Sequence, residues 1–299
     1  MRRPYLVVVA AALLLMIAAS ACGVEESLPE STAGEPTPEA TARPAPEPKH
    51  EEFNPDNFER STVIDNEWLP LKPATQWVFK GYTTEDEEEI PHRLEFTVTD
   101  LTKEIQGVRT VVAWIEDYSD GELIEKEIAF YAQDNDGNVW YLGEHPEEYD
   151  EGRFVKAPTW VAGFQEARAG IKMWAEPKVG MPPYFQGWGP AVDWTDYAQV
   201  DKLVRDACVP AGCYEDILVI AESSLDETDV FQIKHYARGV GEIRTGWRGE
   251  PETPEGLQLV ELTQLEREAM AAVRAEALAL EAHAYEISKD VYGQTAPSE

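Results

Sequence analysis

The sequence contains few basic residues, few cysteines and few histidines for its length. Its 299 residues include 25 Lys and Arg against 57 Asp and Glu, which gives a formal net charge of -32. A surface this acidic repels phosphate groups, so nucleic acid is excluded as a general partner and electrostatic docking on anionic lipid is disfavoured. Apolar residues still make up 43% of the chain, so we expect a folded core rather than a disordered chain.

The sequence also lacks the short motifs that mark common catalytic and cofactor sites. It contains no Gly-x-Ser-x-Gly turn, no phosphate-binding loop and no His-Glu-x-x-His motif. Its five histidines are scattered, and none has the spacing of a metal ligand. We therefore predict no catalytic residue, no metal site and no cofactor. Because carboxylates are so plentiful, a carboxylate-dependent hydrolase remains the less favoured alternative.

Long apolar runs are scarce too, and the one that exists lies at the N-terminus. Two arginines precede an apolar stretch over 5–17, and small residues follow it up to Cys22. This order is typical of a secretory signal, and Ala-Ser-Ala-Cys resembles the lipidation site of bacterial lipoproteins. We predict that residues 1–21 are a signal peptide and that Cys22 carries diacylglycerol and a further chain such as palmitate. An ordinary cleaved signal followed by a chance cysteine is the alternative.

Residues 22–52 combine this cysteine with a segment rich in Pro, Glu, Thr and Ala, in which almost nothing could enter a core. Such a composition predicts a disordered tether, partly polyproline II, that reaches about 90 Å at about 3.1 Å per residue. The expected location is therefore the bacterial cell envelope, extracytoplasmic and lipid-anchored to a membrane.

Residues 53–262 carry the signals of an antiparallel β domain. Short runs rich in β-branched and aromatic residues alternate with turn residues, and no helical pattern separates them. This predicts a mainly β fold, an antiparallel curved sheet or half-open barrel, followed by a long C-terminal α-helix. The expected strands are Gln76–Thr83, Arg93–Thr99, Arg109–Asp117, Leu123–Gln133, Val139–Gly143, Ala198–Arg205, Glu215–Glu222, Val230–Ala237, Gly241–Thr245 and Leu257–Leu262.

Two acid-rich segments look like turns. Asp134–Asn138 alternates acids as a calcium loop does, but Gly137 is misplaced for an EF-hand, so a hairpin turn is the preferred interpretation. The acid run over 144–151 is also predicted as a turn. It would contribute to a solubilising coat, which a salt-rich habitat would equally favour.

The region 152–194 interrupts the strand pattern with prolines and large aromatic residues. We predict a long, ordered loop, because such loops in compact domains commonly cover the sheet or bind ligands. The candidate ligand-binding residues, which could instead seal the sheet, are Trp174, Tyr184, Phe185, Trp188 and Trp194.

The C-terminal part is predicted to be helical over 263–291, followed by a short tail over 292–299. Thr263 and Glu266 have the spacing of a capping box, and a weakly apolar, Ala-rich stripe follows with helical period. This stripe fits packing either on the protein's own sheet or on a partner helix.

Two cysteines remain after Cys22. Cys208 and Cys213 flank a Pro- and Gly-containing turn between two predicted strands. In an exported protein this arrangement predicts a disulfide. The competing interpretations are a redox pair and a metal pair. The spacing is not that of a redox Cys-x-x-Cys motif, and no nearby histidine completes a zinc site.

Three stretches together resemble a family of uncharacterised bacterial lipoproteins and secreted proteins, namely those over 134–144, 208–219 and 234–244. The resemblance spans about Gln76 to Leu262. It implies a β domain similar to the half-open barrel of lipoprotein-carrier proteins, and it supplies no catalytic residues.

The expected function is that of a non-enzymatic binding or carrier module for a small apolar or glycan ligand. The alternative is a structural or assembly partner of an envelope protein that acts through its C-terminal helix. The sequence also predicts that the protein is attached to a membrane through the lipid on Cys22.

Overall fold

The computed structural model describes residues 47–85, 88–226, 229–251 and 253–299. The predicted signal peptide, Cys22 and most of the predicted tether lie outside these described residues. In the described part, none of the helices combines the length and the apolar character that crossing a membrane requires.

Strands dominate the described part of the chain, and one α-helix, α1, spans Arg267–Ile287. The fifteen strands are β1 Thr75–Glu85, β2 Glu88–Ile105, β3 Val108–Ser119, β4 Glu122–Gln133, β5 Val139–Asp150, β6 Arg153–Lys156, β7 Trp160–Val161, β8 Arg168–Met173, β9 Tyr184–Phe185, β10 Gly187–Trp188, β11 Tyr197–Val209, β12 Gly212–Ser223, β13 Phe231–Ala237, β14 Gly241–Arg248 and β15 Glu255–Gln264. Single 3-10 turns lie at Pro55–Asn57, Pro190–Val192 and Tyr292–Gln294.

The strands form one antiparallel sheet, so the predicted fold class is confirmed. Its hydrogen-bonded order is β10-β8-β5-β4-β3-β2-β1-β15-β14-β13-β12-β11-β9, and β6 and β7 pair with β5 outside this path. Each of the ten predicted strands is present, because hairpin turns separate runs of high β-propensity. The strand path is not closed.

One short segment, Tyr184–Trp188, contains the two strands that stand at the two ends of the strand order. β9 pairs with β11, β10 pairs with β8, and Gln186 alone separates β9 from β10. The sheet must therefore curve strongly enough to bring β8 and β11 to the same segment. Gly170 of β8 permits this approach, since a Cβ there would collide with the backbone of residues 185–187.

The region 152–194 contains more regular structure than the sequence indicates. The expected loop instead holds the five strands β6 to β10, all of which pair with β5, β8 or β11. These strands are two to six residues long, too short to show a period-2 pattern. Lys49 also differs from its expected place in the tether, because its backbone pairs with Pro183 and Phe185 beside β9.

Helix α1 packs against β2 and β4 of the chain's own sheet. Its buried residues include Met270, Ala277, Leu280 and Ala284, so the Ala-rich stripe serves the core of the same chain. The expected cap at Thr263 is wrong: Thr263 pairs with Gln76 in β15, and Glu266 precedes the first helical turn. Strand pairing extends β15 through Thr263 to Gln264, so the helix begins only at Arg267.

A buried ion pair joins this helix to the sheet. Lys103 of β2 is fully buried, and its Nζ lies 2.9 Å from Glu281 Oε1 of α1. The same Nζ donates to the carbonyl of Ala296 at 2.6 Å and lies 4.3 Å from the ring centroid of Tyr292. Glu281 in turn accepts hydrogen bonds from Tyr292 and Ser298. Strand, helix and the residues after the helix thus share one polar network inside the core.

We predict that Lys103→Met lowers the free energy of unfolding by about 3–5 kcal/mol, because it leaves the Glu281 carboxylate buried without its cation. Lys126→Met is the matched control. Lys126 also joins α1, at 3.1 Å from Glu276, but both side chains are partly exposed, so we expect a loss below about 1 kcal/mol. Urea unfolding of both variants measures the difference, and equal losses would contradict the proposed importance of the buried pair.

Candidate functional site

Strand β4 has two different faces, and only one of them meets the helix. Lys126, Ile128 and Phe130 point towards α1 and its following turn, as the Lys126–Glu276 and Phe130–Tyr292 contacts show. Because side chains alternate along a strand, Glu125 and Glu127 lie on the opposite face. We call that opposite face of the sheet the inner face.

Side chains on the inner face connect strands that are far apart in the strand order. Lys172 of β8 lies 3.1 Å from Glu222 of β12, although these two strands lie near opposite ends of the strand order. Glu222 also lies 3.1 Å from Lys234 of β13 and accepts a 2.8 Å hydrogen bond from Gln186. This Glu222 cluster therefore joins β8, β12, β13 and the segment between β9 and β10.

The Glu222 cluster is electrically compensated. Burial opposes the charge of Glu222, but Lys172, Lys234 and the Gln186 hydrogen bond outweigh it and lower the pKa of Glu222 to about 2. Burial likewise opposes the charge of Lys234, yet Glu222 and Glu242 raise the pKa of Lys234. Glu222 and Lys234 are therefore both ionised throughout the physiological pH range.

A second part of the inner face has an excess of acid. Glu125 and Glu127 of β4 and Glu144 of β5 are half-buried, and none of them belongs to an ion pair in the described part of the chain. Tyr141 OH lies 3.2 Å from Glu127 Oε1 and also makes a short contact with Glu144. We call these three carboxylates and Tyr141 the acidic cluster.

Burial and mutual repulsion hold protons on the acidic cluster. Burial, then the charge of Glu144, raises the pKa of Glu125 to about 8. The same two causes raise the pKa of Glu127. For Glu144, burial raises the pKa to about 7 against the opposing effect of the Tyr141 hydrogen bond. One hydroxyl donates one proton, so the contact of Tyr141 with two carboxylates indicates that one of them is protonated.

Two further buried groups lie beside these clusters. Trp160 is the strand neighbour of Glu144, and a hydrogen bond from its side chain acts to lower the pKa of that carboxyl. The hydroxyl of Tyr184 is buried without a hydrogen-bond partner in the described part of the chain, and burial, then the charge of Glu222, raises the pKa of this hydroxyl.

A histidine pairs with acids further along the same face. His92 Nε2 lies 2.5 Å from Asp117, and His92 Nδ1 lies 3.4 Å from Glu255. Burial alone would lower the pKa of His92, but the Asp117 hydrogen bond and the charges of Asp117 and Glu255 raise it. This group is therefore a second, compensated ion cluster.

The five aromatic residues predicted to bind ligand do not form one platform in the described contacts. Trp174 contacts Tyr184, and Phe185 contacts Trp188, each pair with ring centroids less than 6 Å apart. Trp194 packs on Trp160 at 4.7 Å and reaches Tyr141 at 5.7 Å. Of the five, only Trp194 has a described ring contact with a residue of the acidic cluster, and the binding role of all five stays a prediction.

Other sequence features take structural roles. Asp134 accepts hydrogen bonds from two backbone amides of its turn and from the indole of Trp140, so the segment is a hairpin turn, as the sequence indicates. No group of three candidate metal ligands occurs among the described residues. The predicted Cys208–Cys213 disulfide is present at the β11–β12 turn.

The acidic cluster was not predicted. Glu144 begins the acid run 144–151, which the sequence suggests is an exposed turn, but β5 continues to Asp150 and Glu147 is buried within it. The alternation of Glu125, Glu127 and Tyr131 in one strand is the signal that could have identified an acidic face. A bulge at Phe130/Tyr131 then places Tyr131 opposite Tyr141.

Comparisons with known proteins give little guidance. Neither the scan against protein-family models nor the comparison with curated proteins found a match. Among solved structures, a Bacteroides fragilis protein inferred to be exported, with a YmcC-like fold, has 13% identity and a TM-score of 0.37; the match covers 66% of this chain and 99% of that one. A protein of Parabacteroides distasonis inferred to be a lipoprotein has 15% identity and a TM-score of 0.34, with 67% and 100% coverage. The resemblance to lipoprotein-carrier barrels is not supported by either comparison.

We predict opposite pH effects for the two clusters. Because the pKa of Glu144 is raised in the folded protein, this carboxyl contributes stability below about pH 4.5. That contribution is lost as the pH rises through about 7. Glu222 contributes stability above about 4.5, which is lost as pH falls towards about 2. Glu144→Gln should therefore raise the free energy of unfolding at pH 8, on the order of 1 kcal/mol, and Glu222→Gln should lower it.

Urea unfolding at pH 5 and pH 8 checks both signs. At pH 5 the Glu144→Gln variant should differ little from the parent protein, because Glu144 is already protonated. A loss of stability at pH 8 in Glu144→Gln would contradict the assignment of an uncompensated carboxylate.

Proposed function

We propose that the protein is a lipid-anchored extracytoplasmic binding module whose inner face holds a polar, glycan-type ligand. The observation that carries this proposal is the acidic cluster, three half-buried carboxylates that belong to no ion pair in the described part of the chain, beside the buried ring of Trp160. Such groups lower stability unless they serve another purpose. An apolar ligand would leave these groups unpaired, whereas a sugar supplies hydroxyls that donate and accept hydrogen bonds.

The rings around the acidic cluster suit a sugar as well. Tyr141 contacts Trp160 and Trp194, and it stacks on Tyr131 with centroids 4.8 Å apart. Aromatic walls beside a few polar groups are typical of small-molecule sites.

A partner-binding role for the helix has less support. The apolar stripe of α1 is buried on its own sheet, and the residues after the helix are fastened by Lys103 and by pairing of Glu299 with Thr102. A partner would have to bind the remaining polar face of α1. We therefore place the assembly role second to ligand binding.

A carboxylate-dependent hydrolase is a second candidate that one observation favours. Glu127 and Glu144 share the hydroxyl of Tyr141, so one protonated and one ionised carboxyl lie side by side. Retaining glycosidases use two carboxyl groups about 5 Å apart, one as acid and one as nucleophile. Release of new reducing ends from a glycan panel, lost in Glu144→Gln, would support hydrolysis over binding alone.

We predict that Cys22→Ser abolishes membrane anchoring. Several acyl chains contribute about 0.8 kcal/mol per buried methylene, and the variant lacks the thiol that would carry them. Fractionation of cells should move the protein from the membrane to the soluble fraction, or show an unprocessed precursor. Full retention of processed protein in the membrane fraction would contradict the anchor.

Titration calorimetry of the purified full-length chain tests the inner face. We expect saturable binding of at least one class of soluble oligosaccharide, reduced at least tenfold by Glu127→Gln. Glu122→Gln is the matched control, because Glu122 lies in the same strand with an exposed side chain. Binding of phospholipid or fatty acid in preference to every glycan would overturn the glycan assignment.

A further inference from the structure

One row of the sheet carries basic side chains on its outer face, the face opposite the inner face. Residues directly opposite each other on neighbouring antiparallel strands point to the same face. The register places one residue from each of six adjacent strands in this row, namely Lys202, Val219, His235, Arg244, Gln258 and Lys80, from β11 through to β1. Lys234 reaches Glu222 on the inner face, so its neighbour His235 points outwards. We call the three cations of the row, Lys202, Arg244 and Lys80, the basic stripe.

The basic stripe has little acidic compensation. Lys80 and Lys202 are exposed, and Arg244 is half-buried. In the described part of the chain, no ion pair includes Lys80 or Arg244. Lys202 lies 3.7 Å from Asp201, but Asp201 lies closer to Arg248, at 2.7 Å. In a chain with 57 acidic and 25 basic residues, acids to neutralise these cations were plentiful.

The stripe cations also act on the histidine in their row. Burial, then the charges of Arg244 and Lys202, lowers the pKa of His235. Arg244 donates to the carbonyl of Cys208 at 2.6 Å, which holds its guanidinium in place without neutralising it. Like charges on one face repel each other, so an anionic partner that lies across the stripe would relieve this repulsion.

The position of the basic stripe indicates which anionic partner it meets. The backbone of Lys49 pairs beside β9, and β9 pairs with β11 at Ala198. Lys202 follows Ala198 by four residues in the same strand, about 13 Å at about 3.3 Å per residue. The chain that leads back to the predicted anchor at Cys22 therefore joins the domain close to the first cation of the stripe.

An exposed tyrosine extends the same face. Tyr82 lies two residues after Lys80 in β1, so both side chains point outwards. Tyr82 is 39% exposed, and its ring lies against Gly256, where a Cβ would collide with it. Tyrosine is enriched at the membrane–water interface because its ring is apolar and its hydroxyl is polar. Cations and an exposed tyrosine on one face fit the headgroup layer of a membrane.

We propose that the basic stripe docks on the anionic phosphate headgroups of the membrane to which the protein is anchored. Lys80, Lys202 and Arg244 donate to phosphate oxygens. The row, about 24 Å long across six strands at about 4.8 Å per step, lies along the membrane surface. This inference rests on the anchored location in the proposed function, and it does not depend on a glycan ligand.

The net charge of the chain does not prevent this contact. Salt screens charges beyond about 8 Å at physiological ionic strength, so a membrane acts mainly on the face that approaches it. The anchor keeps the domain next to the membrane, which raises its effective concentration there. Each basic side chain near an anionic leaflet then raises the docked population about fivefold. Asp206 and Glu215, which pair towards the tip of the β11–β12 hairpin, limit how closely that tip approaches.

The test follows docking of the chain from Cys22 onwards, coupled through the Cys22 thiol to a maleimide lipid in vesicles. Cys208 and Cys213 form a disulfide, so coupling is confined to Cys22. We expect more energy transfer from tryptophan to a dansyl-labelled lipid on vesicles that contain phosphatidylglycerol than on vesicles of phosphatidylcholine alone. The difference should disappear in about 1 M salt, where the screening length is about 3 Å.

The double variant Lys80→Gln/Lys202→Gln should lower the ratio of docked to free domain about 25-fold and so remove the difference. The control variant Lys72→Gln/Lys289→Gln loses the same charge at exposed positions outside the stripe, so it should keep the difference. In the parent chain, acetylation read by mass spectrometry should show Lys80 and Lys202 protected on the anionic vesicles and Lys289 unprotected. Circular dichroism and thermal unfolding establish that both variants fold.

The outcomes separate this inference from the proposed function. Equal energy transfer on both kinds of vesicle, or transfer unchanged in Lys80→Gln/Lys202→Gln, would overturn the docking while leaving the anchor and the ligand intact. Protection of the same lysines by soluble polyphosphate but not by anionic vesicles would overturn the membrane as the partner. Glu127→Gln, which tests the glycan site, should leave docking unchanged, and fractionation of Cys22→Ser tests the anchor separately.

Discussion

The Glu222 carboxylate lies between two lysines that belong to distant parts of the strand order. Lys172 comes from β8, Lys234 comes from β13, and Gln186 comes from the segment that lies at both ends of the sheet. A buried carboxylate needs these partners because its desolvation is otherwise too costly. The partners can reach it only if the sheet curves. The strong curvature of the sheet and the charge compensation of Glu222 on its inner face therefore depend on each other.

The same arrangement explains why the acidic cluster is left without a cation. The charge of Lys172 acts on both Glu127 and Glu144, but its Nζ is hydrogen-bonded to Gln186 and Glu222. Glu127 and Glu144 then rely on protons and on Tyr141. A protein under selection for stability alone would replace such residues with apolar ones. Their presence on a face that half-exposes them is consistent with a site that a ligand completes.

Local signals predicted the fold well and the site poorly. The turn after β4 and the turn holding the disulfide follow from nearby residues, so the strands on either side could be predicted. Burial of Glu144 depends on pairing with Trp160 and on the position of Trp194, both of which are non-local. The acid run that begins at Glu144 looks exposed in the sequence because nothing in the run itself indicates that β6 and β7 pair with it. Helix α1 begins later in the sequence than predicted for a similar reason, because Thr263, the predicted cap, pairs in a strand instead.

The contacts of residues 296–299 have a consequence for the order of folding during synthesis. Lys103 obtains its carbonyl partner from Ala296, Glu281 obtains amide and hydroxyl donors from Ser298, and Thr102 pairs with Glu299. Because a chain is synthesised from its N-terminus, Lys103 is made long before these partners. The core around Lys103 is therefore completed only after the last of these residues has been added, so folding of this part of the domain follows synthesis rather than accompanying it.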